Sequence, residues 1–227
     1  MKVSKTLLGT VIETGKYLVF FGNRKAQLIP LQNRYPEFNF LKIKQTHSDC
    51  IVEASTALVE ADSHWRQEKK QALVIATADC GPVMLVDAEH GVLCAVHAGW
   101  RGVQNEILKK SVLFLLARFP ALKLQAFVGP HIQFSSFEVE DSIRDSLLKT
   151  VQSNTPEMKV SGYSRPSKSG FSLVDLNLII RDQLISVGIQ RENIFCLFED
   201  TKTNANYHSY RRDQKSSGRQ LSFIALK

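Results

Sequence analysis

Three short stretches gather the residues that could do chemistry: "KQTHSDC" at 44–50, "TADCGP" at 77–82 and "HAGWRG" at 97–102. Each closes an apolar, strand-like run. Cys80, His47 and His97 together offer one thiol and two imidazoles, the donor set of a catalytic zinc site. Such sites use three protein ligands and keep a position open for water. Zinc lowers the pKa of that water toward about 7, which makes a nucleophile at neutral pH. A lone histidine is more often structural, so the reading rests on the trio. Arg101 is a separate signal. It stands where a strand gives way to a helix, and free backbone N–H groups there add to its charge as a seat for an anion. Gly99 and Gly102 let a ligand approach the backbone. A tight strand-to-helix turn with Trp100 in the core would explain the glycines and the tryptophan, but it explains Arg101 less well.

These residues must be brought together by the elements around them. "PVMLVD" and "GVLCAVHAG" flank "AEH", with Gly91 marking the turn of a hairpin. If Asp87 pairs with Val92, His97 falls opposite Pro82 and Cys80 opposite Gly99, so the thiol and the imidazole meet at one end of the hairpin. Cys94 alternates onto the other face as core, and His90 lies exposed in the turn. Upstream, "LLGTVIE", "YLVFFG", "AQLIPL", "FLKIKQ" and "CIVEA" read as strands. The polar connection "TALVEADSHWRQEKKQ" leads into the buried strand "ALVIATADC". Asp62 and His64 in that connection could orient a ligand, bind substrate or cap a turn.

Downstream, Leu108, Val112, Leu115, Leu116 and Phe119 recur at helical spacing over 103–119, and Pro120 ends the pattern. "LQAFVGP" is a strand, with His131 just after it at the edge of a possible pocket. "FEVEDSIRDSLLKTV" reads as a second helix with Val139, Ile143, Leu147 and Val151 on one face. The Ser/Gly/Pro-rich run over 151–170 is the expected mobile segment. A third helix follows, with Asp175 as N-cap and Gly188 past its end. The strands "NIFCLF" and "LSFIAL" flank the polar tail "EDTKTNANYHSYRRDQKSSGR". With no repeats and no sharp change in composition, the expectation is one α+β domain over 1–227, with a mixed sheet and about three main helices.

Lysine and arginine number 29 against 22 acidic residues, a net charge of +7 that favours anionic partners. The densest basic cluster is Arg211, Arg212, Lys215 and Arg219. In the tail, Ser209, Arg211 and Arg219 offer phosphate or carboxylate contacts. Four cysteines without CxxC spacing do not make a disulfide framework. No apolar run reaches the ~20 residues of a membrane span, and the N-terminal run is too short for a signal peptide. The reading is a cytoplasmic, soluble protein with no membrane partner.

The run "ATADCGPVMLVD…GVLCAVHAGWRG" resembles the TADCxP…HAGWRG signature of the YfiH/YlmD-type laccase-domain (polyphenol oxidase) family. "KQTHS", the "AD" at Ala61–Asp62, "VGPHI…FEV" and "HSYRRD…SGR" resemble further motifs of that family, in the same order. The resemblance implies zinc, with copper as the alternative, held by His47, Cys80 and His97. It also implies purine nucleosides and phosphate as small-molecule partners: phosphorolysis of adenosine, inosine and methylthioadenosine to base and ribose 1-phosphate, and deamination of adenosine to inosine. Cys80, Arg101 and Asp62 are then the catalytic candidates. Arg101, Gly99, Ser209, Arg211, Arg219 and His131 are the substrate or phosphate candidates. Two features depart from the pattern: the family's N-terminal segment is largely missing apart from Arg24, and Asp200 stands where a cysteine is usual.

Other readings are a hydrolase that edits peptidoglycan precursors, a copper polyphenol oxidase and a basic nucleic-acid-binding module. Multicopper sites need many histidines, commonly in HxH pairs; this chain has six histidines and no HxH. A nucleic-acid module wants clustered basic residues with interleaved aromatics. Only Tyr207 and Tyr210 beside Arg211 and Arg212 come near that.

Overall fold

The computed structural model describes residues 1–151 and 162–227. The chain opens with β1 (Lys2–Thr6), β2 (Gly9–Glu13) and β3 (Tyr17–Gly22), then α1 (Leu28–Arg34), β4 (Asn39–Lys42), β5 (Ile51–Glu53), β6 (Ser63–Arg66) and β7 (Gln71–Thr77). The hairpin β8 (Gly81–Asp87) and β9 (Val92–Ala98) follows, then α2 (Trp100–Gln104), α3 (Ile107–Arg118), β10 (Gln125–Val128), β11 (Glu138–Glu140) and α4 (Asp141–Leu148). After the segment not described come β12 (Ser164–Pro166), β13 (Phe171–Val174), α5 (Leu176–Ser186), β14 (Ile194–Cys196), α6 (Tyr210–Asp213) and β15 (Gln220–Leu226). The fold is α+β with mixed sheets, and α3, α4 and α5 are its longer helices. No described helix is long and apolar enough to cross a membrane.

Two six-stranded sheets, ordered β1-β2-β3-β15-β7-β4 and β14-β10-β8-β9-β6-β5, pack face to face. Successive side chains of a strand point to opposite faces, and the hairpin uses both. Met84, Val86, Leu93 and Ala95 meet Val19, Phe21, Leu73, Ile75 and Ile224 between the sheets. Val83, Leu85, Cys94 and Val96 point the other way, under Leu108, Val112 and Leu115 of α3 and Ile179, Ile180 and Leu184 of α5. Strands buried on both faces read as unbroken apolar runs, which is why β7, β8 and β9 stand out in the sequence. The far face of the first sheet packs Phe20, Val74 and Phe223 against Leu31 of α1, Tyr35 and Phe38.

The hairpin register is the expected one, with Asp87 opposite Val92 and His97 opposite Pro82. Asp175 caps α5, accepting from the Leu178 N–H at 2.9 Å, and Gly188 follows that helix at φ +94°. Cys94 is core, and all four cysteines are free.

Several elements differ from the sequence reading. "AQLIPL" is not a strand: it enters α1, where Pro30 lies in the first turn and needs no N–H partner, and Ile29 faces solvent. The span 103–119 is not one helix, because Glu106 at φ +59° separates α2 from α3. Val139 belongs to β11 and pairs with Ser172, so the second helix begins only at Asp141. The edge strand β1, the short β6 inside the polar connection, and β12 are hidden by polar composition, and the apolar β13 by its length of four residues. Of the expected mobile run, residues 152–161 lie outside the described residues.

Asp87 ties the hairpin turn to the rest of the sheet. Its carboxylate accepts from the Glu89, His90 and Lys123 N–H groups at 2.9, 3.0 and 2.6 Å and contacts His90 Nδ1 at 3.0 Å. Burial pushes its carboxyl up, but the bonds from His90 and Lys123 outweigh burial and hold it below the usual carboxylate range. A carboxyl depressed in the fold stabilises it above its unfolded pKa, and that share is lost as pH falls through the folded value. Asp87→Asn is therefore expected to melt below the wild type at pH 7, with the gap narrowing below about pH 4. Thermal melts across that range read the effect; a gap independent of pH would contradict it.

Candidate functional site

The three sequence stretches converge. His97 lies near the end of β9, Cys80 between β7 and β8, and His47 on the loop after β4. One donor atom from each of His47, Cys80 and His97 lies within 4.8 Å of the other two. The His47 and His97 ring centroids are 4.9 Å apart, and Cys80 Sγ is 3.9 Å from His47 Nε2. This set has the size and chemistry to hold a zinc or copper ion, with sulfur and nitrogen donors that suit either. The backbone fits the same purpose. A Cβ on Gly99 would sit 3.0 Å from Cys80 Sγ and 3.1 Å from His47 Cδ2, so a side chain there would crowd both donors.

Asp62, fully buried just before β6, organises the trio from behind. Its Oδ1 is 2.7 Å from His97 Nδ1, which leaves His97 Nε2 to face the other donors. Its Oδ2 accepts from the Ser48 N–H at 2.6 Å, the Ser48 hydroxyl at 2.8 Å and the Thr46 N–H at 3.1 Å. One carboxylate thus orients His97 and shapes the loop that carries His47. The backbone is strained at two points beside the trio: His47 on that loop has φ +61°, and Asp79, in the link before Cys80, has φ +83°. Non-glycine residues in such conformations cost about 1–3 kcal/mol and collect at functional sites.

Charge follows the same geometry. Burial pushes the Asp62 carboxyl up, but the bonds from His97 and Ser48 outweigh it and hold the carboxyl well below the usual range. Burial likewise opposes ionisation of Cys80, yet the His97 and His47 imidazoles bring its thiol down to about 6. In return, against burial, the Cys80 and Asp62 charges lift His97 to about 9. A thiolate therefore stands ready for a cation. His64, by contrast, is fully buried, and burial pushes it to about 3. It belongs to the core, not to this site.

A cavity of about 710 Å³ opens over the trio. Arg101, Arg211 and Arg219 all line it. The Arg101 guanidinium stacks 4.3 Å from the centroid of Trp100. Arg211 donates to the Glu138 carbonyl at 2.7 Å, and Arg219 to the Gly218 carbonyl at 2.8 Å. None of the three pairs with a described carboxylate, whereas Arg66, Arg144 and Arg212 all do. Ile43, Ile132, Phe137 and Leu176 make an apolar part of the same wall.

Other expected site residues support the wall instead of lining it. Ser209 is buried and caps α6, accepting from the Arg212 N–H at 3.2 Å. His131 is buried, with Nδ1 2.8 Å from the Gly129 carbonyl. Asp200, at the position where a cysteine is usual, accepts from Ser136 Oγ at 2.5 Å. The sequence reading missed Ile43, Leu176, Gln214 and Asp79. The two apolar residues carry no signal that separates pocket wall from core. Asp79 did have one: a carboxylate beside a strand-end cysteine.

The family model described as multi-copper polyphenol oxidoreductase laccase matches residues 23–227. The chain belongs to that family. Among curated relatives of this laccase-type family member, a purine nucleoside phosphorylase of Clostridium acetobutylicum is 31% identical over 191 residues, covering 82% of this chain and 76% of its own. A purine nucleoside phosphorylase of Pseudomonas aeruginosa is 31% identical over 187 residues, covering 81% and 73%. The crystal structure of YlmD from Geobacillus stearothermophilus superposes with a TM-score of 0.80 at 25% identity, covering 87% of this chain and 78% of that one. Although the family's description speaks of several coppers, the described residues of this laccase-type chain contain one such cluster of histidine, cysteine and carboxylate donors.

Proposed function

We propose that this protein is a zinc-dependent purine nucleoside phosphorylase. The observation that carries the reading is the junction of two chemistries in one cavity: a thiolate–imidazole trio on the floor and three guanidiniums that pair with no carboxylate among the described residues. The relatives' names agree with it. In this reading His47, Cys80 and His97 hold the metal, which when bound supplies Lewis-acid polarisation beside the reacting atoms.

The remaining work falls to the chain's own side chains. Arg101, Arg211 and Arg219 seat phosphate, and fixed guanidiniums match its oxygens. The apolar wall receives the purine, with Tyr210 on the cavity's rim. Asp62 holds the Nδ1 proton of His97 and so fixes that ring. A phosphate oxygen then forms a bond to ribose C1′ while the bond from C1′ to purine N9 breaks. The purine leaves with the electron pair and takes up a proton. Holding both reactants in one cavity removes most of the entropy cost of their meeting. Adenosine, inosine and methylthioadenosine are the proposed substrates. The same site is proposed to convert adenosine and water to inosine and ammonia.

Zinc-loaded protein, incubated with inosine or adenosine and phosphate, is expected to yield free base and ribose 1-phosphate on chromatography. If no base, inosine or ribose 1-phosphate appears, the reading fails. Arg101→Ala is expected to raise the KM for phosphate about tenfold to a hundredfold, the loss of one charge-assisted contact, and to move the nucleoside KM less. Steady-state kinetics with each substrate varied in turn separates the two; an unchanged phosphate KM would remove Arg101 from the anion seat.

A further inference from the structure

Asp79 lines the cavity, yet the proposed reaction gives it no task. It is only 9% exposed, and its backbone carbonyl and both carboxylate oxygens are engaged with three different segments of the chain. Its backbone carbonyl accepts from the Ile132 N–H at 3.0 Å. Its Oδ1 accepts from the Thr201 hydroxyl at 2.6 Å, and Thr201 is itself fully buried. Its Oδ2 accepts from the Arg211 N–H at 2.6 Å, across 132 residues of sequence. On its C-terminal side the next atoms are those of Cys80.

The bond to Arg211 is the informative one. Ser209 caps the Arg212 N–H of α6, and Asp79 takes the neighbouring Arg211 N–H from outside the helix. The far end of the Arg211 side chain is fixed too. Its guanidinium donates to the Glu138 carbonyl at 2.7 Å and lies 5.8 Å from the centroid of Phe137. Arg211 is therefore held at both ends, and one of its anchors is the residue that precedes the Cys80 thiol. Asp79 does this from φ +83°, a conformation that favours glycine. A carboxylate there is retained against the backbone's preference, and both of its oxygens are used.

We propose that Asp79 is a positioning residue that sets Arg211 at a fixed place relative to Cys80, so that the anion seat and the metal floor are aligned by one side chain. The proposal rests on the reading of Arg211 as a phosphate ligand. Asparagine at this position keeps the shape but offers one accepting oxygen for two donors. Glycine removes both acceptors and relieves the backbone.

The test compares wild type, Asp79→Asn and Asp79→Gly by phosphate KM, nucleoside KM, zinc content and melting temperature. Asp79→Asn is expected to raise the phosphate KM roughly tenfold, the scale of one charge-assisted hydrogen bond, with a smaller change in nucleoside KM and zinc retained. Asp79→Gly is expected to raise the phosphate KM at least as much while melting no lower than Asp79→Asn. A purely structural residue would lower the melting temperature and leave the phosphate KM alone, and that result overturns the proposal. So does a loss of zinc in step with the rise in KM. If the wild type turns over no nucleoside, the functional reading fails, and calorimetric titration with inorganic phosphate decides this point by itself. Weaker phosphate binding by Asp79→Asn than by wild type supports it; equal binding, or none by wild type, overturns it.

Discussion

Cys80→Ala is expected to give a folded protein that neither keeps zinc nor turns over nucleosides. Cys80 is the only sulfur of the trio, and its thiol, brought down to about 6 by His97 and His47, supplies the negative charge. Alanine leaves only two imidazole donors around a gap, too weak a set for a resident ion. Elemental analysis should fall from about one zinc per chain to below a tenth of that. Metal chemistry contributes several kcal/mol, so turnover should drop on the order of a thousandfold. The fold should survive, because Cys80 is partly exposed in the short link between β7 and β8, and the core lies elsewhere. Such a substitution costs about 1 kcal/mol, which circular dichroism and a thermal melt will read. Stoichiometric zinc retained by Cys80→Ala would remove the ligand assignment. Elemental analysis of the wild type also distinguishes zinc from copper.

The parts of this protein legible in its sequence are those where local pattern and burial agree. The β8–β9 hairpin announces itself because both strands are buried on both faces, and its turn fixes the register that brings Cys80 to His97. The helix from Asp175 to Gly188 is legible for a similar reason: a capping side chain opens it and a positive-φ glycine follows it. Tertiary context defeats the reading elsewhere. Leu31 is apolar and strand-like by neighbours, yet it folds as part of a helix that covers the first sheet. Polar β1 takes its place at an edge only because β2 is there to pair with it. The site divides in the same way. Donor atoms can be named from residue type, and Arg101 from its place at a helix start. The wall cannot, because Ile43 and Leu176 look like core, and Asp79 meets Arg211 only through the folded tail. Ser209 and His131 show the converse. They lie within recognisable motifs, and the fold uses their hydrogen bonds to brace the elements that carry the site.

Asp62→Asn is expected to damage the site nearly as severely as loss of a ligand, although Asp62 would not touch the metal. The reason is a conflict of donors. In the wild type one oxygen of Asp62 faces His97 Nδ1, and the other faces the Ser48 N–H, the Ser48 hydroxyl and the Thr46 N–H. An asparagine must turn its NH2 group toward one side or the other. Turned toward His97, it makes Nδ1 an acceptor and moves the ring proton to Nε2, the tautomer that cannot ligate. Turned toward Ser48 and Thr46, it sets donor against donor and leaves two backbone N–H groups unpaired on the loop that carries His47. Leaving a buried group unpaired costs about 1–3 kcal/mol. Neither orientation preserves both histidines. Loss of such an outer partner weakens metal binding about tenfold to a hundredfold. Competition with a chelating indicator should show that shift, and the zinc-free melt should fall as well, because the Ser48 bonds do not depend on metal. Asp62→Ala removes the wrong donor but leaves the same N–H groups without an acceptor, so its zinc-free melt should also fall. An Asp62→Asn variant that binds zinc as tightly as wild type would mean that the fold, without this carboxylate, is enough to aim both histidines.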